Sequence, residues 1–197
     1  MRYQALTRIK SFIFGYRQIA KALSISPASA RVSANRYVRQ GFLIRIKRNT
    51  YVLAERWRSA AIEDKFIAAN LAQVPSYVSL MTALDYYGIT TQVQRDFIES
   101  IGTKRARQFT VGETILRYTK IDDGLYFGFS RQQGFFMASP EKAFLDAFYL
   151  KALGRYSFDI SSINMAKLDK SELARMAKTF PAKIRRTLKE NGYITKT

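Results

Sequence analysis

Ala28, Val32, Asn35, Arg36 and Arg39 recur at helical spacing, Ser29 and Arg31 flank them, and no carboxylate stands among them. The Arg fork fits O6 and N7 of guanine, the Asn amide fits N6 and N7 of adenine, and a small apolar group fits the thymine methyl. Ser29, Arg31, Val32, Asn35 and Arg36 are therefore candidates for reading base edges in a DNA major groove. Around them in sequence stand Arg17, Lys21, Arg39, Arg45, Lys47 and Arg48, with Asn49, a set suited to phosphates. A third group, Lys183, Arg185, Arg186 and Lys189, lies near the C-terminus. Such a run reads either as a solvated helix face or as a surface for a nucleic acid or a protein partner.

These side chains need a helix with fixed ends, and the sequence supplies them. Ser26 is a good N-cap, Pro27 has the φ wanted at the first helical position, and Gly41 can take the left-handed conformation that ends a helix. Ala30, Ala34, Tyr37 and Val38 form the buried stripe opposite the candidate base readers. Upstream, Leu6, Ile9 and Ile13 have helical spacing, Ile19, Ala20 and Leu23 mark a second short helix, and Ser24-Ile25-Ser26 is the turn between helices. Downstream, residues 42–52 predict a hairpin with Ile44 and Ile46 on one face and Arg45 and Lys47 on the other. Arg48-Asn49 is its tip, where Asn tolerates positive φ. Three helices followed by two strands is the layout of a winged helix-turn-helix.

Charge distribution supports a polyanionic partner. The chain of 197 residues carries 33 Lys and Arg against 15 Asp and Glu, a net of +18. Residues 1–58 hold 13 of those cations and the single acid Glu55, whereas residues 59–197 hold 20 cations and 14 acids. An N-terminal segment of this kind is an electrostatic footprint for nucleic acid or anionic membrane. Membrane is the weaker choice, because apolar runs such as Phe12-Ile13-Phe14 are far too short to span. The chain has no Cys and no His, which excludes disulfides, thiolate nucleophiles, a histidine base and the usual zinc sites, and agrees with a reducing, cytoplasmic setting. No cofactor is expected.

The best domain boundary falls around 54–60, giving a DNA-binding domain over 1–58 and a second domain over 59–197. In the second, helices are predicted over 60–73, 80–87, 140–153, 170–179 and 181–191, and strands over 96–101, 114–121, 125–130 and 134–137. Few crossover helices separate the strands, so the sheet is expected to be largely antiparallel or mixed and the chain α+β. A metal-dependent nuclease is the alternative from another class, using Asp96, Glu99 and Lys104 with Asp122-Asp123 and Glu141-Lys142. Glu99 and Lys104 are five apart rather than two, Asp122-Asp123 precedes Gly124 as turn chemistry, and Glu141 suits the first turn of a helix.

Val78-Ser79-Leu80-Met81-Thr82-Ala83-Leu84-Asp85-Tyr86-Tyr87-Gly88 resembles the segment of AbiEi-type antitoxins in which a Ser-Leu pair precedes a small residue, Leu, an aromatic and Gly. Ala138-Ser139-Pro140-Glu141-Lys142-Ala143-Phe144-Leu145-Asp146 resembles the same family's Pro-Glu-Lys-Ala-hydrophobic-Leu-Asp motif. The winged helix with its basic hairpin completes a resemblance that spans nearly the whole chain. At the wing tip the family usually has Gly where this chain has Asn49. The resemblance implies a transcriptional repressor of its own promoter, bound to an operator with inverted repeats, that is also the antitoxin of a type IV toxin-antitoxin pair. It further implies a nucleotidyltransferase-like toxin opposed without a stable complex, with antitoxicity in the C-terminal domain, where Lys183, Arg185, Arg186 and Lys189 are the candidate surface.

Overall fold

A computed structural model describes residues 2–194. The chain opens with a 3-10 helix, Arg2–Arg8, where the spacing of Leu6, Ile9 and Ile13 predicted a longer helix. The helix stops because the chain turns extended and Phe14 bridges Tyr51 through two backbone hydrogen bonds. Arg56 fixes that bend, its guanidinium donating to the carbonyls of Thr7 and Ile9 at 2.8 and 2.6 Å. Then come α1 (Tyr16–Leu23) and α2 (Pro27–Arg39). Ser26 Oγ accepts from Ser29 N, Pro27 occupies the first turn, and Gly41 takes φ +75° just past the end, as the sequence predicts.

The hairpin follows as β1 (Leu43–Lys47) and β2 (Thr50–Leu53). Its register pairs Leu43 with Leu53, Ile44 with Val52, and Arg45 with Tyr51, and an irregularity between Arg45 and Lys47 interrupts the alternation. The expectation of one covered and one cationic face therefore needs correction. Leu43, Tyr51 and Leu53 are buried in a cluster with α1 and α2, while Ile46 and Val52 are buried in the larger cluster formed by the rest of the chain, with Ile44 packed against it. Both faces of the hairpin cover a core.

Where the sequence suggested a boundary, the chain forms α3 (Ala54–Arg58), and Trp57 within it is fully buried in the larger cluster. It continues through α4 (Ile62–Ala72), β3 (Ser76–Val78), α5 (Leu80–Tyr86), β4 (Phe97–Gly102), β5 (Arg107–Val111), β6 (Thr114–Lys120), β7 (Phe129–Gln132), β8 (Phe135–Ala138), α6 (Pro140–Ala152), α7 (Lys170–Ala177) and α8 (Ala182–Glu190). The six strands β3–β8 form one sheet in the order β5-β6-β4-β3-β8-β7. Three pairings are antiparallel and two, β3 with β8 and β4 with β6, are parallel. The fold is α+β with a mixed sheet.

Two strands escaped the sequence reading. β3 is three fully buried residues, too short to show a period, and β5 is a largely exposed edge strand. The strand expected over 125–130 begins only at Phe129 because Gly128 takes φ +71° and presents a bare backbone to the Lys142 stem. A Cβ on Gly128 would lie 3.0–3.1 Å from that stem.

Candidate nucleic-acid interface

The exposed side of α2 carries Ser29, Arg31, Val32, Asn35, Arg36 and Arg39, opposite buried Ala30, Ala34 and Tyr37. Val32 is 71% exposed on that side. Arg36 lies against the Tyr37 ring, its guanidinium carbon 5.4 Å from the centroid. Arg31 stacks on Tyr16, 4.6 Å from the ring centroid, and donates to the Tyr16 hydroxyl at 3.4 Å. That contact pulls the Tyr16 phenol below its ordinary pKa.

Between α2 and the hairpin lies a cleft of about 180 Å³ lined by Tyr16, Arg31, Asn35, Arg45, Arg48, Asn49 and Tyr51. Of the candidates, Arg31 and Asn35 from the helix and Arg45, Arg48 and Asn49 from the hairpin are thus brought together at one concave surface, whereas Ser29, Val32, Arg36 and Lys47 do not line it. Arg17, Lys21 and Arg39 are exposed on the same helical pair. Tyr16 was missed by the sequence reading. Its one signal there is an aromatic directly after the Gly15 that starts α1.

Two of the expected phosphate contacts have other work. Lys47 donates its ammonium to the Leu71 carbonyl at 2.5 Å, tying the hairpin to the C-terminal end of α4. Asn49 takes φ +57° at the hairpin tip and accepts the Tyr16 N–H on its Oδ1 at 2.8 Å, so its amide caps α1. Gly15 makes this cap feasible, since a Cβ there would meet Asn49 atoms at 3.0–3.3 Å. Left-handed Asn at the tip matches the expectation for that residue, but its side chain is turned inward to the helix.

The C-terminal cations line a separate cleft of about 490 Å³ between α7 and α8, in which Arg185, Arg186 and Lys189 are joined by Lys178 over an Ala174, Ala177 and Ala182 floor. Arg185 donates to the Lys178 carbonyl at 3.0 Å and Arg186 pairs with Glu190 at 3.1 Å. Lys183 is exposed on α8.

The carboxylates of the nuclease alternative are dispersed into structural contacts. Asp96 pairs with Lys65 at 3.3 Å, Glu99 is buried and accepts from the Tyr156 hydroxyl at 2.7 Å, and Asp123 opens a 3-10 turn. Glu141 sits in the first turn of α6, as its sequence position predicts, and accepts from the Asp169 N–H. Lys142 and Asp146, on successive turns of α6, form a fully buried ion pair. Tyr77 and Ser79 both donate to Asp146 Oδ2, at 2.9 and 2.8 Å, and Lys142 donates to the Tyr77 hydroxyl at 3.0 Å. Phe127 and Phe180 rings face the ammonium. Burial pulls the Lys142 ammonium down and the Asp146 carboxyl up, and each partner opposes the other's shift. The two C-terminal sequence motifs thus meet in one buried network.

The N-terminal part thus sets a helix, a turn, a second helix with an acid-free outer face and a cationic hairpin side by side. Residues 1–54 match the family model described as transcriptional regulator, AbiEi antitoxin, the family that the sequence resemblance named. The crystal structure of the RV2827C protein from Mycobacterium tuberculosis is similar in fold, with a TM-score of 0.58 at 12% identity over 97% of this chain and 77% of that one. No curated protein matches the chain. Among the described residues, no helix is long and apolar enough to cross a membrane.

Proposed function

We propose that residues 1–58 act as a winged helix-turn-helix that binds double-stranded operator DNA and represses transcription of the chain's own operon. The observation that carries this reading is the cationic cleft shared by Arg31 and Asn35 of α2 with Arg45 and Arg48 of the hairpin. In this reading α2 enters the major groove, where Ser29, Arg31, Val32, Asn35 and Arg36 face base edges. Arg17, Lys21, Arg39, Arg45 and Arg48 hold phosphates. Five such contacts give a slope of about −4 to −5 in log K against log salt.

Residues 59–197 complete the reading as the antitoxin part of a type IV toxin-antitoxin pair in the cytoplasm, with Lys183, Arg185, Arg186 and Lys189 as the antitoxicity surface. This half rests on the family alone, through its N-terminal match and the two C-terminal motifs. The toxin is expected to be nucleotidyltransferase-like and to be opposed without a stable complex.

The experiment is a binding isotherm of the full chain on duplex from immediately upstream of its gene, against shuffled duplex, at two salt concentrations. A steep salt slope with at least about a thousandfold preference is the expected result. The same slope without preference would end the repressor reading and leave a non-specific nucleic-acid binder. Loss of toxin neutralisation in Arg185→Ala/Arg186→Ala, with DNA binding retained, is expected if the antitoxin half is right.

A further inference from the structure

The cationic surface does not stop at the hairpin. Lys47, next to Arg48, lines a second cleft, of about 400 Å³, together with Ile46, Ala72, Arg107, Gln108 and Phe109. The far wall of that cleft is β5, an edge strand of the large sheet, with one flank paired to β6 and no strand paired to the other among the described residues. The segment 103–111, which contains β5, holds Lys104, Arg105 and Arg107 and no acid. All three cations are exposed, and none has an ion pair among the described residues.

We propose that this edge is a second DNA-backbone site, so that the operator-bound chain grips phosphates flanking the α2 contact with Lys104, Arg105 and Arg107. The proposal deepens the operator-binding reading and rests on it for the placement of α2. Two features favour DNA over a solvated edge. The two clefts are lined by neighbouring hairpin residues, Arg45, Arg48 and Asn49 in the first and Ile46 and Lys47 in the second, and Arg107 adds its charge to the second.

The two halves are also held in register. Lys47 is tied to the Leu71 carbonyl, and Gly112, in the turn after β5, lies so close to Trp57 that a Cβ there would sit 2.7 Å from the indole. Arg107 at the start of β5, with Lys104 and Arg105 just before it, is thus presented at a fixed offset from α2, as phosphate contacts that set the orientation of a bound duplex must be.

The test compares wild type with Lys104→Ala/Arg105→Ala/Arg107→Ala, both as full chains, on operator and on shuffled duplex over a salt series. The substituted side chains are exposed, and matching far-UV circular dichroism confirms the fold. The expected result is a salt slope shallower by about 2–3 on both duplexes with an unchanged preference between them, because backbone contacts carry no base information. Hydroxyl-radical protection should shorten on one flank of each operator half-site. Arg107→Gln alone should remove about one from the slope. An unchanged slope and unchanged protection in the triple variant would overturn the second site while leaving the operator reading intact. Loss of operator preference in wild type would instead sink the repressor reading, and the slope difference on shuffled duplex would still decide the β5 contact. Absence of any DNA binding by wild type would overturn both.

Discussion

At the scale of single residues, the side chains divide by what their neighbours allow. Arg36 lies beside the Tyr37 ring, exposed on the outer face of α2. Arg36→Ala should therefore cost about 1–3 kcal/mol on the operator and relax base preference, whereas Arg48→Ala should weaken operator and shuffled duplex alike. Competition binding on the two duplexes checks both, and equal loss for Arg36→Ala would remove it from the base-reading set. Lys142 is the opposite case, a charge with no solvent and one carboxylate partner. Lys142→Met should lower stability by about 3–5 kcal/mol in denaturant titration, because Asp146 is left buried with only the Tyr77 and Ser79 hydroxyls. Glu99 gives a pH signature. Burial raises its carboxyl pKa although the Tyr156 hydroxyl opposes the shift. Its contribution to stability is therefore fully present below the unfolded value and is lost as pH rises through the folded one. Glu99→Gln should melt higher than wild type at pH 7, with the gap closing toward pH 4.

At the scale of elements, what could be read in the sequence was what local chemistry decides. Ser26, Pro27 and Gly41 bound α2 in the structure as they do on paper, because a cap and a left-handed stop need only their own few residues. Ser139 and Pro140 open α6 for the same reason. The hairpin was legible as a hairpin, but its irregularity and two-sided burial were not, since both depend on what the second core places against Ile46 and Val52. The i,i+4 spacing of Lys142 and Asp146 reads identically on a solvated helix and a buried one. Only the apolar Ala143, Phe144, Ala147 and Phe148 around them hinted at burial. Gly112 belongs at this scale too. It combines φ +59° with direct contact on Trp57, so Gly112→Ala should destabilise by about 1–3 kcal/mol and loosen the turn after β5 from the hairpin. A thermal melt with tryptophan emission reports both, since Trp57 is the chain's one Trp. An unchanged melt would show that the turn yields freely.

At the scale of the whole molecule, the N-terminal helices and the large sheet share the hairpin as a common wall. Leu43 and Leu53 belong to one cluster and Ile46, Val52 and Trp57 to the other. Calorimetry should accordingly give one unfolding transition for the full chain, and two well-separated transitions would show that the clusters unfold independently. Trp57→Ala, a large-to-small change in the core, should cost about 3–5 kcal/mol and lower that single transition. The shared wall has an evolutionary consequence. Regulators built as beads on a string can trade specificity by exchanging one bead, but here a transplanted reading head arrives with the wrong residues facing the recipient's sheet. Chimeras joined near residue 54 should work only when Ile44 and Ile46 keep their partners Gly112 and Phe109, so that on the operator-binding reading new operators are reached by point changes on the outer face of α2 rather than by recombination.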